Sequence, residues 1–296
     1  MDPISSLVIL AGGASSRMKK EASIKEGLSE EDIKQANERS KGLIGVGQQG
    51  RPLLDYVLYN AKRAGYGKIY IVVGENGQLF KEFYASEKSG NKFHGMEIFF
   101  ATQYVPKDRI KPFGTADALY QATEQYPELK TARYSVCNSD NLYSGQAFMA
   151  LRNTDAPNAF IAYDRDAMEF SEERISRFAL VKLDDRGYLT DIVEKPEPSQ
   201  VDAYRDTLGK LRVSMNAFTF DGAKMDLFLK NCPVHPERNE KELPTAFLNM
   251  LQKYPGTAIG IPFSEHVPDL TAKDDIIDVK NYLEEHYPTL DWEQNS

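Results

Sequence analysis

The sequence predicts an α/β fold with a mixed, mostly parallel sheet flanked by helices, and two observations carry that prediction. Short, wholly apolar runs such as Leu7-Val8-Ile9-Leu10 and Ile69-Tyr70-Ile71-Val72-Val73 have the pattern of strands buried on both faces. Strand-like and amphipathic helical segments then alternate through the first half of the chain, which implies parallel strands joined by right-handed helical crossovers. One large α/β sheet can use all 296 residues, so a single domain over 1–296 is expected, with approximate lobes at 1–140 and 141–296.

The first run is bounded by Gly12 and Gly13 and ends in the loop Ala11-Gly12-Gly13-Ala14-Ser15-Ser16-Arg17. Residues 19–40 are rich in Lys and Glu, and Ser29 with Asp32 has capping-box spacing, so this insertion reads either as a mobile lid or as a solvated surface helix. Arg51-Pro52-Leu53-Leu54 opens a helix with Pro in its first turn and Leu53, Leu54, Val57, Leu58 and Ala61 on one face; Gly65 ends it. A second strand over 68–73, a helix near 76–86 and a third strand over 96–102 follow. A loop rich in Lys and Pro, 104–113, then leads to Gly114 and to Thr115, which is placed to cap the next helix. The strand at 133–138 ends at Ser139-Asp140-Asn141. The second half is dominated by strands near 159–163, 179–183, 189–194 and 212–220, with Asp184-Asp185-Arg186-Gly187 as a hairpin turn, and by helices near 222–230, 242–253 and 274–286.

Composition narrows the function classes. With 41% hydrophobic and 27% charged residues the chain can bury a sizeable core. Its 36 Lys and Arg against 44 Asp and Glu leave a formal charge of −8, so no global positive field draws it onto nucleic acid or an anionic membrane. A nucleotide substrate would therefore need local cations and a metal. Cys137 and Cys232 are far apart and suggest neither a zinc site nor a disulfide framework, and the histidines, His94 and His266 among them, lack metal-ligand spacing. The apolar run 7–11 is too short to span a bilayer and follows Asp2 and Pro3 instead of a basic segment, so a cytoplasmic location is expected.

In open α/β sheets ligands bind beyond the carboxyl ends of the strands, which makes the loop after the first strand the leading candidate. Gly12 and Gly13 permit close backbone approach to phosphate, Ser15 and Ser16 add hydroxyl donors, and Arg17 can pair with phosphate oxygens. The loop by itself equally fits an ordinary strand-to-helix turn. It lacks the Gly-Lys-Ser/Thr ending of a P-loop and the G-x-G-x-x-G spacing of a dinucleotide fold, which weakens kinase and dehydrogenase readings.

Leu10-Ala11-Gly12-Gly13-Ala14-Ser15-Ser16-Arg17-Met18, with Lys41-Gly42-Leu43-Ile44-Gly45-Val46-Gly47 and Arg51-Pro52-Leu53-Leu54, resembles the signature region of the sugar-phosphate nucleotidylyltransferases. Their pattern runs Leu-Ala-Gly-Gly-x-Gly-Thr-Arg, then a Lys before an apolar stretch, then Gly-x-Pro-Leu-Leu. This chain departs from it at Ser15, where the family usually has Gly, and in the added length of residues 19–40. Its Ser-Ser-Arg-Met form is closer to the molybdopterin nucleotidyltransferases, a sister group. Later segments favour the sugar branch. Gly114-Thr115-Ala116-Asp117-Ala118-Leu119 is similar to the family's Gly-Thr-Ala-x-Ala-Leu, and Gln103 to its base-contacting glutamine. Ser139-Asp140-Asn141 is similar to the Gly-Asp-Asn metal motif, and Ile192-Val193-Glu194-Lys195-Pro196 to the Val-Glu-Lys-Pro segment of the sugar-binding lobe. Asp269 in Pro268-Asp269-Leu270-Thr271 matches the family's second aspartate, although the Gly and Pro of that pattern are absent.

The resemblance implies a Rossmann-like nucleotidyltransferase that joins the α-phosphate of a nucleoside triphosphate to a sugar 1-phosphate and releases pyrophosphate, with Mg²⁺ held by Asp140 and Asp269. It implies that Arg17 binds the departing pyrophosphate, that Lys41 binds triphosphate oxygens and stabilises charge at the α-phosphorus, that Ala11, Gly12, Gly13, Gln103, Gly114 and Thr115 contact the nucleotide, that Lys195 holds the acceptor phosphate and that Glu194 binds sugar hydroxyls. Molybdopterin or phosphocholine transfer, a catalytically silent nucleotide-sugar-binding regulator, and a glycosyltransferase using Asp164-Arg165-Asp166 are the alternatives. Neither the base, the acceptor nor the oligomeric state is legible, and a homo-oligomer is left open.

Overall fold

The computed structural model describes residues 3–22, 27–85, 90–176, 178–193 and 197–293. Its first half runs β1 (Ser6–Leu10), α1 (Glu30–Glu38), α2 (Leu53–Arg63), β2 (Lys68–Gly74), α3 (Gln78–Tyr84), β3 (Lys92–Phe93), β4 (Met96–Gln103), α4 (Thr115–Gln125) and β5 (Arg133–Asn138). The second half continues with α5 (Gly145–Asn153), β6 (Asn158–Asp164), α6 (Glu172–Ile175), β7 (Leu180–Leu183), β8 (Leu189–Val193), β9 (Arg212–Asp221), α7 (Gly222–Lys230), α8 (Leu243–Lys253), β10 (Ala258–Phe263) and α9 (Asp275–His286).

One sheet unites both halves in the order β10-β6-β9-β5-β1-β2-β4-β3, with β7 joined to β9 and β8 to β7. The β1–β2, β1–β5, β2–β4 and β6–β10 pairs are parallel, as helical crossovers require. Between them, β9 runs antiparallel to both β5 and β6 and makes the sheet mixed. The centre is β1, whose alternating side chains supply both layers of the core. Leu7 and Ile9 pack with Leu54, Leu58, Phe148 and Ile276 on one face, whereas Val8 and Leu10 pack with Leu119, Met225 and Phe247 on the other. Burying such a side chain contributes about 1.5–3 kcal/mol, so this apolar run, covered on both sides, anchors the loop that follows it.

The hairpin turn at 184–187 forms as expected, with Asp184 Oδ1 accepting from the N–H groups of Arg186 and Tyr188 and Gly187 at φ +84°. The edge strand β10 and the helix α5 are absent from the sequence reading. Gly260 and Pro262 interrupt the strand pattern of β10, and Pro is tolerated there because β10 is at the sheet edge. Thr115 does not cap its helix: Gly114 is the cap residue of α4, at φ +101°, and Thr115 Oγ1 accepts the N–H of Leu243 at 3.0 Å. Among the described residues no helix is long and apolar enough to cross a membrane.

Within the 19–40 insertion the helix capped by Ser29 forms, as α1, and residues 23–26 lie outside the described residues. Ser29 and Asp32 do form the capping box, each backbone N–H reaching the other's side chain at 3.1 Å. The helix they start is a surface helix, with Glu30, Glu31, Lys34, Asn37 and Glu38 exposed, that docks along its other face. Asp32 and Ala36 are buried, Lys280 Nζ lies 2.7 Å from Asp32, and Gln35 Oε1 accepts the Gly45 N–H at 2.8 Å. Burial opposes ionisation of Asp32, but the Lys280 ammonium and the Ser29 donors outweigh it and hold the carboxyl below its ordinary range. A depressed native value stabilises the fold above the ordinary carboxylate pKa and loses that contribution as pH falls through the native value. Asp32→Asn is therefore expected to cost about 1 kcal/mol at neutral pH, typical of a lost cap, with the difference from wild type shrinking in urea titrations at progressively lower pH.

Candidate active site

The loop after β1 is held open by packing beneath it. The Ala11 N–H donates to Val72 O at 2.8 Å, and Met18 is fully buried, so both ends of the loop are fixed. At Gly12 a Cβ would meet Gln103 Oε1 at 3.1 Å and Gly74 N at 3.4 Å, whereas Gly13 faces open space. Ser15 adopts φ +54°, the left-handed region in which glycine is at ease, which gives the Ser-for-Gly departure a physical cost. Ser15→Gly should raise stability by up to about 1 kcal/mol, part of the strain relief being offset by the extra unfolded-state freedom of glycine. Chemical denaturation with pyrophosphate-release kinetics measures this, with little change in turnover expected.

Around this loop lies a cavity of about 350 Å³ lined by Ala11, Gly12, Gly13, Arg17, Lys41, Gln103, Gly114 and Thr115, so every nucleotide-side residue singled out from the sequence converges there. The Gln103 Nε2 is committed to Gly114 O at 3.1 Å and Asp117 Oδ2 at 2.9 Å, fixing the amide at the cavity floor. Gly114 is required by its neighbours: a Cβ there would lie 2.3 Å from Lys241 O.

The two aspartates meet because the backbone laces their segments together. Leu142 N–H donates to Pro268 O at 2.8 Å and Leu270 N–H to Asp140 O at 2.9 Å, while Asn141 and Asp269 form an antiparallel bridge. Lys41 Nζ is 2.8 Å from Asp140 Oδ2. Arg174 Nη2 and Thr271 Oγ1 each reach Asp269 Oδ2 at 2.7 Å. All three bonds fall on Oδ2 atoms. Burial, and then the neighbouring Asp140 charge, push the Asp269 carboxyl above its ordinary value, as expected of two anions held close together. Adjacent hard oxygen donors of this kind suit Mg²⁺, which takes one or two carboxylates and completes its shell with phosphates and water. Among the described residues no group of three or more His, Cys, Asp or Glu could hold a metal, so the pair is the donor set in question.

A second cavity of about 730 Å³ adjoins the first and shares Arg17, Lys41, Thr115, Asn138, Asp140 and Glu240 with it; Asp269, Arg174 and Asn216 line the second cavity alone. Glu194 and Lys195 lie outside the described residues, although Ile192, just before them on β8, faces this cavity. Arg174, Asn216 and Glu240 were missed from sequence. Arg174 sits in a Ser-Glu-Glu-Arg stretch that reads as surface, and Asn216 interrupts β9 at φ +58° inside the irregular part of the β6–β9 ladder, which strand periodicity does not reveal.

Other candidates resolve into structural roles. Asp164 is buried, pairs with Lys210 at 3.1 Å, accepts from Ser264 Oγ at 3.2 Å and caps the Asp166 N–H at 3.1 Å; it is not among the described residues lining either cavity. The Asp164-Arg165-Asp166 segment is thus a turn cap. His94 stacks on Trp292 at 3.8 Å, His266 Nδ1 accepts the Glu169 N–H at 3.1 Å, and both cysteines are free and buried.

The family model described as nucleotidyl transferase matches residues 33–260, a span that contains Lys41, Gln103, Gly114 and Asp140. The small subunit of glucose-1-phosphate adenylyltransferase, chloroplastic/amyloplastic, from Triticum aestivum is 28% identical over 203 residues, covering 66% of this chain and 39% of that relative. The chain therefore spans well under half the length of this relative.

Proposed function

The chain belongs to the nucleotidyl transferase family, and from that membership we propose that it transfers a nucleoside monophosphate from a nucleoside triphosphate to a sugar 1-phosphate, releasing pyrophosphate and making a nucleotide sugar. One observation carries this reading: two cavities, one behind the glycine loop and one beside Asp269, join at Lys41 and Asp140. A donor and an acceptor could thus meet over the cations and carboxylates that phosphoryl-type transfer needs, with no covalent nucleophile required.

An oxygen of the acceptor phosphate forms a bond to the α-phosphorus as the bond from that phosphorus to the bridging oxygen breaks, and pyrophosphate leaves with the electron pair. The Gly12-Gly13 backbone and Arg17 bind the triphosphate, and Lys41 stabilises charge at the α-phosphorus and on the departing group. Lys195 holds the acceptor phosphate and Glu194 the sugar hydroxyls. Residues 1–140 serve as the nucleotide lobe and 141–296 as the acceptor lobe. Asp140 and Asp269 would hold Mg²⁺, which when bound supplies charge neutralisation between the two phosphates.

A panel of nucleoside triphosphates against sugar 1-phosphates, with pyrophosphate release as the readout, tests the proposal. The name of the wheat relative makes ATP with glucose 1-phosphate the first pair to try. Turnover with one pair supports it. Nucleotide binding without turnover on any pair, including phosphocholine and molybdopterin acceptors, would leave the regulator reading instead. The net charge of −8 also argues against nucleic acid or an anionic membrane as a partner.

A further inference from the structure

We propose that Arg174 is a positioning residue for the metal site, acting through Asp269; this rests on the preceding reading of Asp140 and Asp269 as the metal carboxylates. Arg174 stands on the short helix α6, in a stretch of the chain outside the motifs that carry the family resemblance, yet its guanidinium forks between two carboxylates. Nη2 donates to Asp269 Oδ2 at 2.7 Å and Nη1 to Asp275 Oδ1 at 2.5 Å. Nη2 also lies 3.3 Å from Asp269 O, and the guanidinium packs over the Phe170 ring at 4.2 Å.

The fork decides which oxygen Asp269 offers. Arg174 and Thr271 both take Oδ2, so Oδ1 has no protein hydrogen bond among the described residues. Asp275 steadies the other side: its Oδ2 accepts the N–H groups of Thr271 at 2.7 Å and Ala272 at 2.6 Å, tying down the turn that carries Asp269. A carboxylate so held keeps one oxygen oriented without losing side-chain entropy when a cation arrives. A planar fork does this, and a lysine ammonium, a point charge with three freely rotating donors, does not.

The test is Mn²⁺ binding to the full chain, followed by electron paramagnetic resonance without substrates, together with kcat at saturating metal. Arg174→Lys keeps the charge and loses the fork. Asp275→Asn keeps an acceptor for the turn and loses the ion pair. Both are expected to weaken Mn²⁺ binding about 10-fold or more and to lower kcat, with little change in the urea midpoint, since partners one bond removed from a metal commonly carry effects of that size. Wild-type Mn²⁺ affinity and kcat in folded variants, or a loss of stability alone, would overturn the assignment. Should wild type bind no Mn²⁺, or Asp140→Asn bind it normally, the metal reading itself fails, a result distinct from failure of the Arg174 role.

Discussion

Asp140→Asn is expected to lower kcat by about 10³-fold, or roughly 4 kcal/mol of transition-state stabilisation. The side chain is small, but the charge it removes lines both cavities and faces Lys41. Without it, Asp269 alone would hold a cation between two polyanions, and their mutual repulsion would oppose the approach of acceptor to α-phosphorus. Folding should survive, because the bond that laces this strand end to the 268–270 segment uses the Asp140 backbone carbonyl, accepting from Leu270 N–H at 2.9 Å, and leaves the carboxylate out of it. Pyrophosphate release measured across a Mg²⁺ series, beside a thermal melt, separates the two effects. Raising Mg²⁺ should recover only a small part of the rate. A folded Asp140→Asn protein with wild-type kcat would remove Asp140 from the chemistry.

Much of this site was legible because its pieces follow strands whose apolar runs are unmistakable. The loop after β1, Gln103 at the end of β4 and Asp140 after β5 all lie at carboxyl ends of parallel strands, where the sheet itself gathers them. What sequence did not disclose depends on contacts between remote segments. Arg174 gains its role only when α6 meets the turn before α9, and nothing in Ser171-Glu172-Glu173-Arg174 distinguishes it from a solvated helix start. The docking of α1 was hidden for a related reason: the capping box is legible in Ser29 and Asp32, but the groups that tie the helix down, Lys280 on Asp32 and the Gly45 N–H on Gln35, come from elsewhere in the chain. Thr115 looked like a cap by residue type, yet the backbone at Gly114 takes a conformation that only glycine enters freely, and that decides where α4 begins.

Lys41→Ala should lower kcat by about 10²–10³-fold with a signature different from that of Asp140→Asn. The Lys41 ammonium lies 2.8 Å from Asp140 Oδ2. An arriving triphosphate offers it stronger acceptors, so Lys41 would exchange its carboxylate for phosphate oxygens and leave Asp140 open to a cation. Removing the ammonium takes away both the counter-charge on Asp140 and the stabiliser of negative charge developing on the leaving pyrophosphate. The first loss favours a cation at Asp140; the second slows the transfer. Mn²⁺ should therefore bind Lys41→Ala at least as tightly as wild type, even though turnover collapses, whereas Asp140→Asn should lose both. The local backbone does not depend on the side chain, because Leu43 N–H donates to Ser40 O at 2.9 Å, Ile44 N–H to Lys41 O at 3.1 Å, and Leu53 N–H to Ile44 O at 3.2 Å. The turn should persist in the variant, and the loss should appear mainly in kcat, as expected for an interaction strengthened in the transition state. Arg17→Ala, at the exposed end of the glycine loop, should instead weaken nucleotide use chiefly through KM, and Lys195→Ala the acceptor KM. A Lys41→Ala protein with normal kcat and a raised nucleotide KM would place Lys41 with Arg17 as a ground-state phosphate anchor, and the role given to it at the α-phosphorus would be wrong.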